Sequence, residues 1–188
     1  MQQKRITQIR LSGFGGQGVV LAGLLLGEAG VVDGKYVAGS NSYGAQARGS
    51  GCKSEVVFSD GPIDFPHLTS ADILVAMSQS TYDQYRTDVE PEGGLILFDE
   101  SQVTPKKDVA AKQIGIAATD SALKLLRNKQ VANIVLLGAL VELTHIVSAK
   151  ALEKAMEQHV NERFLRLNLD AFEAGRQLAR QSSMQIAQ

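Results

Sequence analysis

The sequence predicts an α/β fold: a Rossmann-like, mostly parallel sheet with helices on both faces and a helical C-terminal third. Three observations predict it. Over the first two thirds of the 188 residues, short apolar runs of strand length alternate with runs of helical length. A glycine-rich turn, Gly13-Phe14-Gly15-Gly16-Gln17-Gly18, joins the first strand-like run to the first apolar helix. Residues 131–180 carry helical patterns and few strand signals.

The elements follow in order. Ile6 to Leu11 alternates apolar and polar residues as a strand does, and Val19 to Leu26 is an apolar helix with no polar face. Tyr36-Val37-Ala38 reads as a second strand, and Lys53 to Phe58 as a half-exposed third. The simple strand–helix–strand rule need not hold between these two. Gly61-Pro62 marks a turn. Asp72 to Met77 is a buried strand, followed by a helix over 78–88 with Ser78 or Ser80 at its N-cap. Gly93 to Asp99 and Lys112 to Ala117 are two more strands. Thr119 or Asp120 caps a helix through Leu126. Val131 to Thr144 is an apolar helix, interrupted by Asn133 and Gly138. Ser148 caps a helix to about Val160, and Asn161 to Ala179 is amphipathic. Residues 181–188 fray. The whole, 1–188, reads as one domain, whose last third covers the sheet or makes a subunit interface.

Composition excludes several function classes. A net charge of -1 gives no electrostatic reason for nucleic acid or acidic lipid as a partner. No apolar run is long enough to span a membrane, and Met1 to Arg5 has no signal-like stretch, so a cytoplasmic location is expected. Cys52 is the only cysteine, so the chain cannot build an iron–sulfur cluster or a Cys-rich zinc site of its own. His67, His145 and His159 are scattered, and Asp64, Asp72 and Asp99 sit at strand ends where caps and turns are the default. No set of residues forms a catalytic or metal-binding constellation.

Two loops carry the binding chemistry. The glycine turn fits G-x-G-x-x-G in its strand–turn–helix setting, which points bare N–H groups at an anion. A tight turn that only packs helix on sheet is the alternative. A dinucleotide site also needs an acid at the end of the second strand. Asp33 has roughly the right separation, but it stands in the turn before that strand. The second loop, Gly39 to Gly51, follows strand two, so its donors Ser42, Tyr43, Gln46 and Arg48 belong near the glycine turn. Arg48 can clamp a phosphate or carboxylate in bidentate fashion.

Taken together, Gly13-Phe-Gly-Gly-Gln-Gly18, Ser40-Asn-Ser-Tyr-Gly-Ala-Gln-Ala-Arg-Gly49 and Lys53-Ser-Glu-Val-Val57 closely resemble gamma subunits of 2-oxoacid:ferredoxin oxidoreductases. The likeness continues through Asp72 to Ser78 and covers most of the chain. Ser-Asn-Ser-Tyr-Gly is most similar to the 2-oxoglutarate-specific form. Ala45-Gln46, where the family commonly has Pro-Glu, is a departure, and Ser50-Gly51-Cys52 is another. The resemblance implies a hetero-oligomer in which alpha and beta subunits hold thiamine diphosphate and Mg. Iron–sulfur clusters in partner subunits, among them a ferredoxin-like delta subunit, pass electrons to ferredoxin. The acyl group leaves on coenzyme A. For this chain it implies no catalytic residue and no cofactor bound alone. Of the binding residues, Gly13, Gly15, Gly16, Gln17 and Gly18 belong to the turn that would shape an N–H-lined cradle, and Ser42, Tyr43 and Arg48 would face it; the cradle would take a coenzyme A phosphate, or else these residues would meet a partner subunit. A free-standing nucleotide-binding protein and a purely structural subunit are the other two readings.

Overall fold

The computed structural model describes residues 6–44 and 51–186. Six strands form one sheet: β1 (Ile6–Phe14), β2 (Tyr36–Tyr43), β3 (Gly51–Ser59), β4 (Ile73–Ala76), β5 (Leu95–Asp99) and β6 (Lys112–Ile116). Their spatial order is β2-β3-β1-β4-β5-β6. β1, β4, β5 and β6 run parallel, whereas β3 is antiparallel to both its neighbours. The first connection therefore skips one place in the sheet. α1 (Val19–Val32) carries the chain to β2, and β3 returns to fill the gap beside β1. β2 consequently runs in the same direction as β1, and both end at the same edge.

Strand alternation splits the core between the two faces. Ile9, Leu11, Val56, Phe58, Val75 and Leu97 lie on the face covered by α1 and the C-terminal helices. Leu74, Ala76, Ile96 and Phe98 point the other way, against Tyr82 of α2 (Gln79–Tyr85) and Val89. On that second face Arg10, Glu55 and Ser40 stand in one row across β1, β3 and β2. Arg10 donates to Glu55 and to Asp88, each at 2.9 Å, and Lys53 donates to Glu55 at 2.8 Å. Burial opposes ionisation of Glu55, but the hydrogen bonds from Lys53 and Arg10 outweigh it and hold its pKa below the ordinary value.

The C-terminal third is helical: α3 (Ala118–Leu126), α4 (Ala132–Thr144), α5 (Ala149–His159) and α6 (Glu162–Ile186). α4 is buried on all sides from Asn133 to Val141, which explains its lack of a polar stripe. It covers the sheet, and α6 packs closely on it at two glycines. A Cβ on Gly175 would overlap the Val135 carbonyl, and one on Gly138 would overlap that of Phe172. Beside this crossing Glu142 accepts from Arg176 at 2.9 Å and from Arg180 at 2.8 Å. These α6 charges thus pair with α4.

Several local expectations are corrected. β2 runs to Tyr43, so Gly39 to Tyr43 is strand, not loop, because each residue finds a partner on β3. Ser78 occupies the N-cap of α2, but its hydroxyl pairs with the Thr81 hydroxyl at 2.9 Å instead of capping a backbone N–H. α3 begins at Ala118, one residue before the expected caps, and Asp99 caps it from outside. Ser148 does cap α5, accepting from the Ala151 N–H at 3.1 Å. α6 continues to Ile186, beyond the expected Ala179.

Candidate functional site

At the carboxyl edge of the sheet, β1 runs into the glycine turn and then α1. The turn needs glycine twice: Gly16 has φ +98° and Gly18 φ +72°, the left-handed region that side chains disfavour. Gly18 is the N-cap of α1, with no side chain to cap it and no acid in the first turn. The first helical bond is Ala22 N–H to Gly18 O, so the N–H groups of Val19, Val20 and Leu21 have no helical acceptor. A positive helix end made of bare backbone is the result.

Gln17 shapes this turn from within. Its Oε1 accepts from Phe14 N–H at 2.6 Å, and its Nε2 donates to the Met77 carbonyl at 2.9 Å. The amide bolts the turn to the end of β4. Gly13 is the last β1 residue but one, and its missing Cβ makes room for this clamp: a Cβ there would stand 2.6 Å from Gln17 Oε1. Gly13 and Gln17 thus build the turn, while Gly15, Gly16 and Gly18 form its surface.

A cleft of about 450 Å³ opens beside the turn, lined by Gly15, Gly16 and Gln17, by Met77 and Asp99 at strand ends, and by Asn133 of α4. Asp99 is buried and fully used. It accepts from Thr119 N–H at 3.1 Å and from the hydroxyls of Thr119 at 2.5 Å and Ser101 at 3.0 Å. It is a cap, as its strand-end position suggests. Lys129 stands exposed on the rim and makes no ion pair among the described residues.

Asn133 escaped the sequence reading. It is 3% exposed, its Nδ2 donates to the Gly18 carbonyl at 3.0 Å, and its Oδ1 has no hydrogen-bond partner. A Cβ on Gly18 would overlap this amide. The available signal was the polar residue that breaks the apolar run of 131–141.

The described part of the second stretch, Gly39 to Gly44, ends at the same edge but does not line the cleft. Cys52 of β3 pairs with Gly13 on one side and Tyr43 on the other. Tyr43 is therefore two strand spacings, about 10 Å, from the end of β1. Ser42 and Tyr43 are exposed on the outer strand. Arg48 and Gln46 lie outside the described residues. Asp33 caps the end of α1, and its carboxylate accepts from Ser148 N–H at 2.5 Å and from the Ser148 hydroxyl at 2.8 Å. Asp33 thus ties α1 to α5 and does not reach the cleft. Burial raises the Cys52 thiol pKa, the opposite of an activated nucleophile. His67 stacks edge-on with Phe65, His145 ends α4, and His159 lies 3.7 Å from Glu28. Among the described residues no group of three His, Cys, Asp or Glu is placed to hold a metal. No helix is long and apolar enough to cross a membrane. The cleft offers backbone donors, amides and one cation, which is binding chemistry.

The chain belongs to the pyruvate ferredoxin/flavodoxin oxidoreductase family, whose model matches residues 8–178. It is 45% identical over 187 residues to the 2-oxoglutarate synthase subunit KorC of Methanocaldococcus jannaschii, covering 96% of this chain and all of that one. The corresponding subunit of Methanothermobacter thermautotrophicus is 41% identical, covering 94% of this chain and 96% of that one. Among solved structures, the gamma subunit of a keto/oxoacid ferredoxin oxidoreductase from Geobacter sulfurreducens superposes with a TM-score of 0.85 at 40% identity, over 95% and 98% of the two chains. The 2-oxoglutarate:ferredoxin oxidoreductase of Magnetococcus marinus, with coenzyme A bound, shares the fold. Its TM-score is 0.84 at 24% identity, over 95% of this chain and 32% of that one.

Proposed function

We propose that this family member is the gamma-type subunit of a 2-oxoglutarate:ferredoxin oxidoreductase. The complex converts 2-oxoglutarate and coenzyme A to succinyl-CoA, or runs the reverse reaction. The near full-length match to 2-oxoglutarate synthase subunits carries the reading. Its partners are the alpha and beta subunits, a ferredoxin-like delta subunit and ferredoxin, in the cytoplasm. Thiamine diphosphate with Mg, and iron–sulfur clusters, supply decarboxylation and single-electron transfer when bound in those partners. The described residues of this chain do not fit either group, since one buried cysteine and, among the described residues, no cluster of metal ligands offer them no donor set.

The chain's own task is to bind and orient coenzyme A. The open N–H groups of the glycine turn and Lys129 meet its anionic groups, while Gln17 fixes the turn. Gly13, Gly15, Gly16, Gln17 and Gly18 belong to this cradle, and the guanidinium of Arg48 is assigned to the same anionic groups by its chemistry. Ser42 and Tyr43, on the outer strand, suit contact with a partner subunit better. A free-standing dinucleotide-binding role is not favoured, because Asp33 is spent on Ser148. In the assembled complex, Arg48→Ala should raise the Michaelis constant for coenzyme A several-fold with little change in turnover. An unchanged constant in an intact complex would overturn the ligand role of Arg48 and leave it an interface residue.

A further inference from the structure

β2 is the outer strand of the sheet, and among the described residues nothing pairs with its far side. Such an edge offers bare N–H and C=O groups to any other chain, and monomers guard it with lysine, proline or a bulge. From Tyr36 to Tyr43 there is no charge and no proline, and the register with β3 is unbroken. Lys35, just before the strand, is drawn away: its Nζ donates to the Ile146 carbonyl at 2.6 Å.

α1 leaves an apolar side open at the same place. A helix that is apolar all round is normally covered all round. Yet Leu24 and Val31 are exposed, Val31 by 58%. The one charged residue of α1, Glu28, lies 3.7 Å from His159 of α5. Leu24 and Val31 line a groove of about 310 Å³, together with Val37, Gly39 and Asn41 of β2. A lone added strand would pair with the edge and leave Leu24 and Val31 in water. Covering both takes a strand with an apolar helix beside it, and the chain's own α1–β2 unit is one.

The edge also fixes a register. Gly44 N–H donates to the Gly51 carbonyl at 3.0 Å, so even-numbered residues of β2 turn their backbone groups toward β3. Val37, Gly39, Asn41 and Tyr43 turn theirs outward. Two antiparallel copies of β2 use all four when Val37 meets the partner's Tyr43 and Gly39 meets the partner's Asn41, about a two-fold axis at Ser40. Each such pair exchanges two hydrogen bonds. Val37 and Tyr43 are six residues apart and so share the α1 face of the sheet. Tyr43, 65% exposed in the single chain, then stands over the partner's Val37, in the groove beside the partner's Leu24. An aromatic ring opposite a β-branched side chain is a favourable cross-strand pair.

We propose that the β2 edge and the open side of α1 form an isologous interface with a second copy of this chain, joining two six-stranded sheets into one. This names the subunit that Tyr43 meets and does not depend on the coenzyme A reading, since β2 does not line the glycine-turn cleft.

Sedimentation of the full chain, purified alone, tests the interface. The native chain should sediment at twice its mass of 20.1 kDa, and Asn41→Pro or Tyr43→Lys should return it to the single mass. Asn41 turns its N–H away from β3, so a proline there leaves the β2–β3 ladder intact. Cross-linking tests the register. Ser40 on the axis has its Cα about 4.5 Å from that of the partner's Ser40, within disulfide reach. The two copies of Ser42 stand roughly 14 Å apart. Mild oxidation should link Ser40→Cys chains in pairs and leave Ser42→Cys chains single. The native chain, whose Cys52 is buried, should also stay single. A native chain that sediments at the single mass would overturn the proposal, and that result holds even where Asn41→Pro fails to fold. A dimer that Asn41→Pro and Tyr43→Lys both leave intact would overturn it too. Equal linking at positions 40 and 42 would overturn the register. In the assembled complex, Ser40→Cys linked to a different subunit would overturn the second copy as the occupant.

Discussion

Gly18→Ala should destabilise the protein through two separable causes. The first is backbone strain: φ is +72°, where an alanine costs about 1–2 kcal/mol. The second is the Asn133 amide, which the new methyl would overlap. Asn133 is buried in α4 and can yield only by giving up its 3.0 Å bond to the Gly18 carbonyl. Displacing a buried hydrogen-bonded amide adds about 1–3 kcal/mol. A total near 3 kcal/mol lowers the melting temperature of a chain this size by about 6–12 °C. Gly16→Ala separates the causes, because Gly16 also has positive φ but nothing within 4 Å of its missing Cβ. It should cost only the strain, about 3–6 °C. Thermal unfolding of the purified chain by circular dichroism reads both. The cycle closes with Asn133→Ala, in whose background Gly18→Ala should cost no more than Gly16→Ala. Equal costs of Gly18→Ala with and without the Asn133 side chain would refute the contact argument.

Gly175→Val puts a side chain against the Val135 carbonyl and forces α6 off α4, so it should cost about 3 kcal/mol or more by urea titration. Glu55→Gln should cost about 2 kcal/mol at pH 7 by removing the charged acceptor of Arg10 and Lys53. The Glu55 pKa is lowered on folding, so its contribution is present above its unfolded value of 4.5 and is lost as pH falls through the folded one. Stability curves of the native protein and Glu55→Gln should therefore converge as pH falls below the lowered folded pKa. Gln17→Leu removes both ends of the clamp between Phe14 and Met77 and should cost about 2 kcal/mol, with a raised Michaelis constant for coenzyme A in the complex.

What the sequence made legible was local. The strand–turn–helix at Gly13 to Gly18 could be read because glycine spacing and flanking apolar runs are neighbours along the chain. The Ser148 cap could be read for the same reason, and Asp99 was assigned a capping role from its strand end. The β2–β3 hairpin was harder. Tyr36 to Tyr43 holds few strongly apolar residues because it is an outer strand, and its polar second half resembles a loop until β3 pairs with it. The antiparallel insertion of β3 beside β1 is a pairing between residues some 45 apart, which no local pattern reports. Asn133 was missed for a similar reason. It lies 115 residues from the Gly18 carbonyl it holds, and in the sequence it is only a break in an apolar run. Gln17 is expected to shape the turn, but how it does so is not legible in the sequence: its amide acceptor and donor find backbone partners at the ends of β1 and β4, 60 residues apart in the case of Met77.

The assembly itself gives the most direct test. The chain should be purified under non-denaturing conditions from the cells that express it, and the fractions assayed for thiamine diphosphate, iron and coenzyme A-dependent oxidation of 2-oxoglutarate. The account predicts that all three migrate with this chain at the size of a hetero-oligomer. A chain that migrates as a monomer, with neither thiamine nor iron nor that activity in its fractions, would contradict it.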